Sequence, residues 1–411
     1  MISEIQIENF KSIAKLSLKP GNVTVLIGEN GSGKSNVLEA IAFAAAAAAN
    51  KLDAEFLHTR GIRVTEQEWM HSKFVPPMRL RENRPPIDQP IAFRVIGTDA
   101  AKPLDIKVSR PNSARSFPGI AWHVAAGVDQ DEISDEVDSD DFLRELELFR
   151  TRFSSKLKLG VLEELGRELV AKQLAAARKR KRLPEIAASL SLRDFLIYSP
   201  ENTALRNFET EGAIKPLGTK GEGLLKLLSD TGAAGNGKFA KELKSQLGLL
   251  GWFGDLRLPT EEDEIRGRLL IHDRWLPADG PVFDQRSANE GFLYLLFYFT
   301  LFLSKQTPKF FAIDNIDNAL NPKLCAELMR QLTTLAAKTG KQVICTTHNP
   351  AILDGMNLQD DQQRLYVVRR NSEGHTVANR VSAPRPRPEG TPIKLSSAFM
   401  SGLLGGLPEH F

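Results

Sequence analysis

The chain has 411 residues, of which 42% are hydrophobic and 26% are charged, with a formal net charge of +3. This length exceeds one ordinary domain, and the composition is typical of a soluble globular protein. The nearly balanced charge gives no argument for a nucleic-acid partner, and two cysteines are too few for a disulfide framework. We therefore expect reduced thiols and a cytoplasmic protein.

The first predicted elements are strands that lead into a glycine-rich loop. Residues 5–10 alternate apolar and polar side chains, and residues 23–27 are an apolar, β-branched run. An alanine-rich stretch, residues 36–49, predicts a helix directly after the loop. Residues 90–96 and 104–108 then predict strands of a β-rich lobe.

The loop between the apolar strand and the alanine-rich helix reads GENGSGKS at residues 28–35. This sequence matches G-x-x-x-x-G-K-[ST], in which backbone amides and a helix N-terminus bind phosphate. In that motif the lysine contacts the β- and γ-phosphates and the last hydroxyl holds Mg²⁺. We therefore expect ATP and Mg²⁺ as cofactors, bound by Asn30, Gly31, Gly33, Lys34, Ser35 and Asn36.

The middle of the chain changes from acidic to helical. Residues 129–141 are rich in carboxylates, and residues 142–192 have apolar side chains at helical spacing, which predicts an inserted helical arm. A basic run lies within this arm at residues 178–182. It is either a solvated helix face or a contact to nucleic-acid phosphates.

Strands and helices alternate in the last third of the chain. The apolar run of residues 292–303 is too short to span a bilayer and predicts a buried helix, so we expect no membrane partner. The apolar strand that ends at Asp314 has the form of a Walker B strand, whose aspartate helps to hold Mg²⁺. His348 follows the next strand, a position from which a side chain can contact a γ-phosphate.

These motifs resemble the ATPase heads of the ABC superfamily, of the RecF/SMC type with a large insertion. Within that group the chain is similar to stand-alone ATPases of bacterial phage-defence operons. The resemblance rests on residues 28–36, 216–223, 287–291, and 314–322 with 347–350. It implies an α/β fold, in which a mixed sheet with helices carries a β-rich N-terminal lobe and an inserted helical arm.

The resemblance also implies roles for single residues. Asp314 would be the Walker B aspartate and a metal ligand, and His348 would be the switch histidine. Ser287 and Gly291 would contact the γ-phosphate bound by a partner subunit, and residues 318–321 would cross the dimer interface. Such heads hold two ATP molecules between two subunits, so a homodimer or a higher oligomer is expected.

Two positions depart from the family pattern. Ala288 replaces a glycine of the signature segment, and Asn315 replaces the glutamate that normally follows the Walker B aspartate. Loss of a general base typically lowers a rate by about 10²–10⁴. Because Asp317 or Glu290 could replace that base, slow hydrolysis and rescued hydrolysis are both open. The catalytic candidates are Asp314, Asn315, Asp317 and His348.

The leading hypothesis is an ATP-dependent switch or scaffold that controls a separate effector, such as a nuclease or toxin, in anti-phage defence. The alternative is a RecF-like DNA-repair ATPase that binds DNA. We expect four regions along the chain: an N-terminal ATPase lobe (1–128), a helical insertion (129–193), a C-terminal ATPase lobe (194–381) and a tail (382–411).

Overall fold

The computed structural model describes residues 1–76, 89–98, 103–109, 122–127, 183–208, 214–234, 237–260, 267–277, 279–383 and 394–407. The strands in these ranges form three sheets. Their bounds are β1 Ile2–Phe10, β2 Ile13–Leu18, β3 Val23–Ile27, β4 Ile91–Gly97, β5 Leu104–Ser109, β6 His123–Gly127, β7 Ile197–Tyr198, β8 Phe253–Arg257, β9 Leu270–Asp273, β10 Phe283–Asp284, β11 Phe310–Ile313, β12 Gln342–Thr347, β13 Gln363–Arg370 and β14 Thr376–Val381.

A six-stranded sheet with the order β14-β13-β3-β12-β11-β7 forms the centre of the fold. β3 pairs in parallel with β12 on one side and with β13 on the other. β11 pairs in parallel with β12 and with β7, whereas β14 runs antiparallel to β13. Every residue of β3, β11 and β12 is buried, as expected for parallel strands that are covered on both faces.

The N-terminal strands belong to a second, antiparallel sheet with the order β2-β1-β4-β5-β6. Its apolar side chains alternate along each strand, so that Ile5, Ile7 and Val95 are fully buried. They pack on the alanine-rich helix, which lies between this sheet and one face of the central sheet. The small alanine side chains let two sheets approach the same helix closely.

The helices cover the remaining surfaces of the central sheet. The alternation of β11 illustrates this, because Phe310 and Ala312 belong to the hydrophobic cluster on one face and Phe311 and Ile313 to the cluster on the other. The α-helices are Lys34–Ala48, Ala54–Thr59, Gln67–Met70, Asn202–Arg206, Leu224–Ala234, Lys238–Leu247, Glu290–Leu303, Pro322–Thr339 and Leu395–Met400, and Pro350–Gly355 is a 3₁₀ helix.

The apolar run of the last third is a buried helix, as the sequence predicted. The Asn289 side chain accepts a hydrogen bond from the Phe292 backbone and caps the helix Glu290–Leu303, in which every residue from Phe292 to Phe302 is buried. Within the described residues no helix is long and apolar enough to span a membrane. Cys325 and Cys345 are buried and form no disulfide.

Several elements were not anticipated from the sequence. The small sheet β10-β9-β8 and the helix Lys238–Leu247 have short or strongly amphipathic sequences, and their packing against the helix Glu290–Leu303 comes from residues distant in the chain. The predicted arm falls mostly on residues 142–182, which lie outside the described residues, as do the acidic stretch 129–141 and the basic run 178–182. Of the predicted arm, residues 183–189 are described and helical.

One buried charge makes the stability of this fold depend on pH. Lys341 is 3% exposed, and its Nζ donates to the carbonyl oxygen of Leu301 at 2.6 Å and to the Thr307 hydroxyl. Burial lowers the pKa of Lys341 to about 7. An unfolded chain keeps a lysine pKa of about 10.4, so between these values the unfolded state binds more protons and the free energy of unfolding rises with pH.

We expect the free energy of unfolding of the wild type to gain about 2 kcal/mol between about pH 7 and pH 9, relative to Lys341→Met. The variant keeps a side chain of similar length but has no proton to lose. Urea unfolding followed by circular dichroism at both pH values measures the difference. Lys323→Met, at an exposed position, is the matched control and should keep the wild-type pH dependence. Equal pH dependence in wild type and Lys341→Met would contradict the assignment.

Candidate nucleotide site

The glycine-rich loop connects β3 to the N-terminus of the helix Lys34–Ala48. Gly33 has φ 103° and is the N-cap of this helix, and a Cβ at Gly33 would lie 2.1 Å from the Thr376 hydroxyl. Both facts require glycine at this position. Asn30 and Gly31 are exposed at the tip of the loop. A loop of this shape presents backbone amides and a helix N-terminus, which together attract a phosphate group.

Lys34 lies beneath the loop in a buried position. Its Nζ donates to the carbonyl oxygens of Gly28 at 2.8 Å and Glu29 at 2.9 Å. Burial lowers the pKa of Lys34, while the charges of Asp314, Glu29 and Asp317 act in the opposite direction. The ammonium group is thus held next to the loop amides and close to two carboxylates of the distant C-terminal part.

Two oxygen ligands suited to a hard cation meet beside this lysine. The Ser35 hydroxyl lies 3.3 Å from Asp314 Oδ2 and 3.5 Å from Oδ1. The Thr346 hydroxyl donates to the Asp314 carboxylate, which fixes its orientation. The parallel pairing of β11, β12 and β3 brings these side chains together, because the carboxyl ends of parallel strands meet at one edge of the sheet. A serine hydroxyl and a carboxylate are ligands that Mg²⁺ prefers.

The residues after Asp314 form a turn that is tied to the end of β12. Asn315 has φ 54°, a left-handed conformation that asparagine adopts more readily than most residues, and its backbone N–H donates to the Thr346 hydroxyl at 2.8 Å. Asp317 Oδ1 accepts from the Thr347 hydroxyl at 2.7 Å and from the His348 N–H at 3.4 Å. Asp317 therefore holds the segment that carries the histidine.

His348 shares the electrostatic environment of Lys34 and the two aspartates. Burial and the Lys34 charge lower the pKa of His348, while Asp317 and Asp314 act in the opposite direction. The neutral imidazole can accept or donate one hydrogen bond near the lysine. The structure thus brings Lys34, Ser35, Asp314, Asp317 and His348 together, from three separate segments of the chain.

The signature candidates lie on the surface of the chain. Ser287 is exposed at the end of a loop, and Gly291 lies in the first turn of the helix Glu290–Leu303. A Cβ at Gly291 would be 3.2 Å from the carbonyl oxygen of Ala319, so this helix start contacts the loop 318–321 that follows the Walker B position. Within the described residues, no hydrogen bond joins Ser287 to the glycine-rich loop of the same chain.

Comparison with known proteins gives two partial family matches. Residues 1–115 match a family model described as an AAA ATPase domain. Residues 224–354 match a model described as an AAA domain and linked to the AbiEii toxin of type IV toxin–antitoxin systems. The chromosome partition protein Smc of Methanocaldococcus jannaschii is 51% identical over 43 residues, which are 10% of this chain and 4% of that protein.

Solved structures extend the likeness to almost the whole chain. An Smc head bound to the winged-helix domain of ScpA has a TM-score of 0.56 and 15% identity, covering 93% of this chain and 98% of that one. The SMC head of Thermotoga maritima is 14% identical with a TM-score of 0.46, covering 93% and 99%. The first likeness carries the assignment of fold, and the two family models agree with it. The chain has the fold of an ABC-type ATPase head like that of Smc proteins. The predicted α/β ABC-type fold is confirmed.

Ser12, Arg63 and Thr376, which the sequence analysis did not assign to the site, support the phosphate loop of this ABC-type fold. The Arg63 guanidinium donates to Asn36 Oδ1 at 3.3 Å, and Asn36 Nδ2 donates to the Ser12 hydroxyl at 2.6 Å. Ser12 bonds the Thr376 hydroxyl at 2.7 Å, which donates to the Ser32 carbonyl oxygen at 2.9 Å. Because a peptide group is planar, fixing the Ser32 carbonyl on one side directs the Gly33 N–H to the other.

Few features of the sequence indicated this network of hydrogen bonds. Asn36 is predicted to bind the nucleotide, and its side chain joins Arg63 to Ser12. Lys11 forms an ion pair with the buried Glu39, which also binds Arg63. Thr376 begins β14, for which the sequence analysis had no assignment.

The glycine-rich C-terminal segment of the head lies near the start of the phosphate loop. The Ser396 backbone and hydroxyl bond both carboxylate oxygens of Asp354, at 3.0 and 2.7 Å, and so dock the helix Leu395–Met400 on the 3₁₀ helix after His348. A Cβ at Gly406 would be 2.4 Å from the Val367 side chain and 3.7 Å from the Gly28 Cα. The segment therefore packs where β3 and β13 end.

We expect Thr376→Val to weaken Mg-ATP binding by roughly fivefold to tenfold, because it removes the donor that orients the Ser32 carbonyl without changing side-chain size. Isothermal titration calorimetry with ATP and Mg²⁺ measures the affinity. Thr334→Val, at an exposed helix position, is the control and should bind as the wild type does. Equal affinity of Thr376→Val and wild type would show that the hydroxyl does not organise the loop.

Proposed function

We propose that the chain binds Mg-ATP and that two copies close on two bound nucleotides. The proposal rests on one observation: Lys34, Ser35 and Asp314 lie close together at the carboxyl edge of the central sheet. Lys34 and the loop amides would bind the β- and γ-phosphates. Ser35 and Asp314 would hold Mg²⁺, which supplies charge neutralisation for the phosphates when it is bound.

The need for a second copy follows from the position of the signature segment. Ser287 and Glu290 are exposed, and they belong to the surface that also includes the loop 318–321. In a two-fold dimer the same patch of each copy faces the other, so each signature segment would reach the partner's phosphate loop. We propose the lobe boundaries 1–128 and 194–381 for the two parts that would frame each nucleotide.

Hydrolysis in this dimer is proposed to be slow. Asn315 occupies the position where a glutamate would accept a proton from water, and an amide accepts none. Its left-handed φ of 54° suits asparagine, and it disfavours a longer side chain by about 1 kcal/mol. Asp317 is already engaged by Thr347 and His348, so we assign it to holding the switch segment.

Asn315→Glu is expected to raise steady-state phosphate release by about 100-fold or more, with about 1 kcal/mol lower stability. Asn315→Asp keeps a residue tolerated at positive φ and should give a smaller increase, because its carboxylate is one methylene shorter. Lys34→Ala, which lacks the proposed phosphate-binding lysine, gives the background rate of phosphate release. Wild-type turnover of about 10 s⁻¹ that disappears in Lys34→Ala would contradict slow hydrolysis.

Asp317→Asn tests the other carboxylate in the same assay. Asparagine keeps the Oδ1 acceptor for the Thr347 hydroxyl but loses the charge. If Asp317 only holds the switch segment, turnover changes by less than about tenfold; if it is the general base, turnover falls by about 10² or more.

We further propose that the closed dimer controls a separate effector, a nuclease or toxin, in anti-phage defence. The family model matched by residues 224–354 carries a link to a toxin–antitoxin system, which favours this setting. One related Smc head was solved with a bound ScpA domain, which gives a precedent for a head that carries a partner. The DNA-repair alternative gains no support from these comparisons, and the basic run 178–182 lies outside the described residues.

A plaque assay tests the proposed setting. Bacteria that express the chain with its neighbouring gene should reduce phage plating, and Lys34→Ala in the same operon should restore plating to the level of an empty vector. The reason is that the nucleotide-bound dimer would be the form that releases or restrains the effector. Thr334→Val is the control and should protect as the wild type does. Equal phage plating on bacteria that express the wild type and on bacteria that express Lys34→Ala would contradict the proposed role in defence.

A further inference from the structure

The signature segment, residues 285–291, is held in shape by one arginine from another part of the chain. The Arg206 guanidinium donates three hydrogen bonds to backbone carbonyl oxygens of this segment, and its Nε donates to Asn202 Oδ1 at 2.8 Å. The three carbonyls and their distances are Gln285 at 2.8 Å, Arg286 at 2.7 Å and Ala288 at 2.8 Å. Because the guanidinium is a rigid planar fork, it fixes these carbonyls relative to one another.

The planar peptide groups carry this constraint to the helix start. Fixing the Ala288 carbonyl also fixes the direction of the Asn289 N–H, and the Asn289 side chain caps the helix that contains Gly291. Gln285 Oε1 accepts from the Leu269 N–H at 2.9 Å and holds the other end of the segment to the small sheet. Ser287 is exposed between these two supports.

Arg206 itself stands on a rigid base beside the nucleotide site. It ends the helix Asn202–Arg206, which follows β7, and the Tyr198 carbonyl of β7 accepts a hydrogen bond from the Asp314 N–H at 2.8 Å. Leu205 is fully buried, and a Cβ at Gly221 would lie 2.4 Å from its Cδ2. The position of Arg206 is thus set by the strand that precedes Asp314 and by the packing of Gly221 against the neighbouring Leu205.

We infer that Arg206 is a positioning residue whose effect is exerted on the partner subunit's nucleotide. This inference rests on the proposed ATP-bound dimer. A signature serine and the helix amides can approach a γ-phosphate only if the nearby carbonyl oxygens, which repel it, are turned away and neutralised. Arg206 does both for three carbonyls at once, and it leaves the nucleotide contacts of its own phosphate loop unchanged.

Arg206→Gln is expected to weaken ATP-dependent dimerisation by about 100-fold, as three hydrogen bonds to a charged group are lost. The ATP affinity of the single chain, measured at low protein concentration, should stay within about twofold of wild type. Arg206→Lys keeps the charge but not the fork, so dimerisation should remain at least about tenfold weaker. Arg330→Gln, which removes an exposed arginine, is the control. Analytical ultracentrifugation with and without Mg-ATP measures dimerisation.

A mixing experiment separates an effect on the partner from an effect within the chain. In a mixed dimer of Arg206→Gln and Lys34→Ala, one site combines an intact phosphate loop with an intact signature segment, and the other site receives both defects. ATP retained after rapid gel filtration should therefore reach about half of the wild-type amount, whereas each variant alone retains little. No recovery on mixing would overturn the assignment to the partner's site.

Two further outcomes distinguish a failure of the proposed function from a failure of the inference about Arg206. If the wild type does not dimerise with ATP, the proposed function fails and this inference falls with it. If the wild type dimerises and Arg206→Gln does so equally well, the inference alone is overturned. Should Arg206→Gln not fold, Asn202→Ala removes the acceptor that orients the guanidinium, and undiminished dimerisation of that variant would overturn the inference.

Discussion

The position of β3 between β12 and β13 is the constraint on which the candidate site depends. The parallel pairing places the ends of β3, β12 and β11 at one edge of the sheet, although β3 lies more than 280 residues before β11 and β12 in the chain. This pairing sets Lys34 near Asp314 and Asp317. The edge cannot move without breaking a sheet whose inner strands are buried on both faces, so the charged groups keep their separation.

The sequence predicted the parts of this site that are local in the chain. The glycine loop, the strand that ends at Asp314 and the helix that begins near Ser287 each have a contiguous pattern, and each is present in the structure. Thr376 and Arg206 were missed for a shared physical reason. Thr376 bonds the backbone carbonyl oxygen of Ser32, and Arg206 bonds those of Gln285, Arg286 and Ala288. Every residue type has a backbone carbonyl, so the sequence does not indicate which one accepts such a hydrogen bond. Such partners become visible once the long-range packing is known.

Thr376 and Arg206 support two different segments of the proposed site. Thr376 organises the loop that would bind the nucleotide of its own chain, and Arg206 organises the segment that would contact the nucleotide of the other. The two hydrogen-bond sets share no residue. Variants at Thr376 should therefore alter affinity of the single chain, and variants at Arg206 should alter closure of the dimer, with additive effects for sites that have no common partner.

The residue at position 315 bears on how long the closed dimer would last. In a head with a fast general base, closure would be followed at once by cleavage, and the closed dimer would be short-lived. An amide at position 315 would slow that step, while the hydrogen bonds of its backbone and of Asp317 still connect the turn after Asp314 to the segment that carries His348. The closed state would then last as long as ATP stays bound, so that dissociation and not chemistry would set its lifetime. A protein that holds an effector until a signal arrives would need that property.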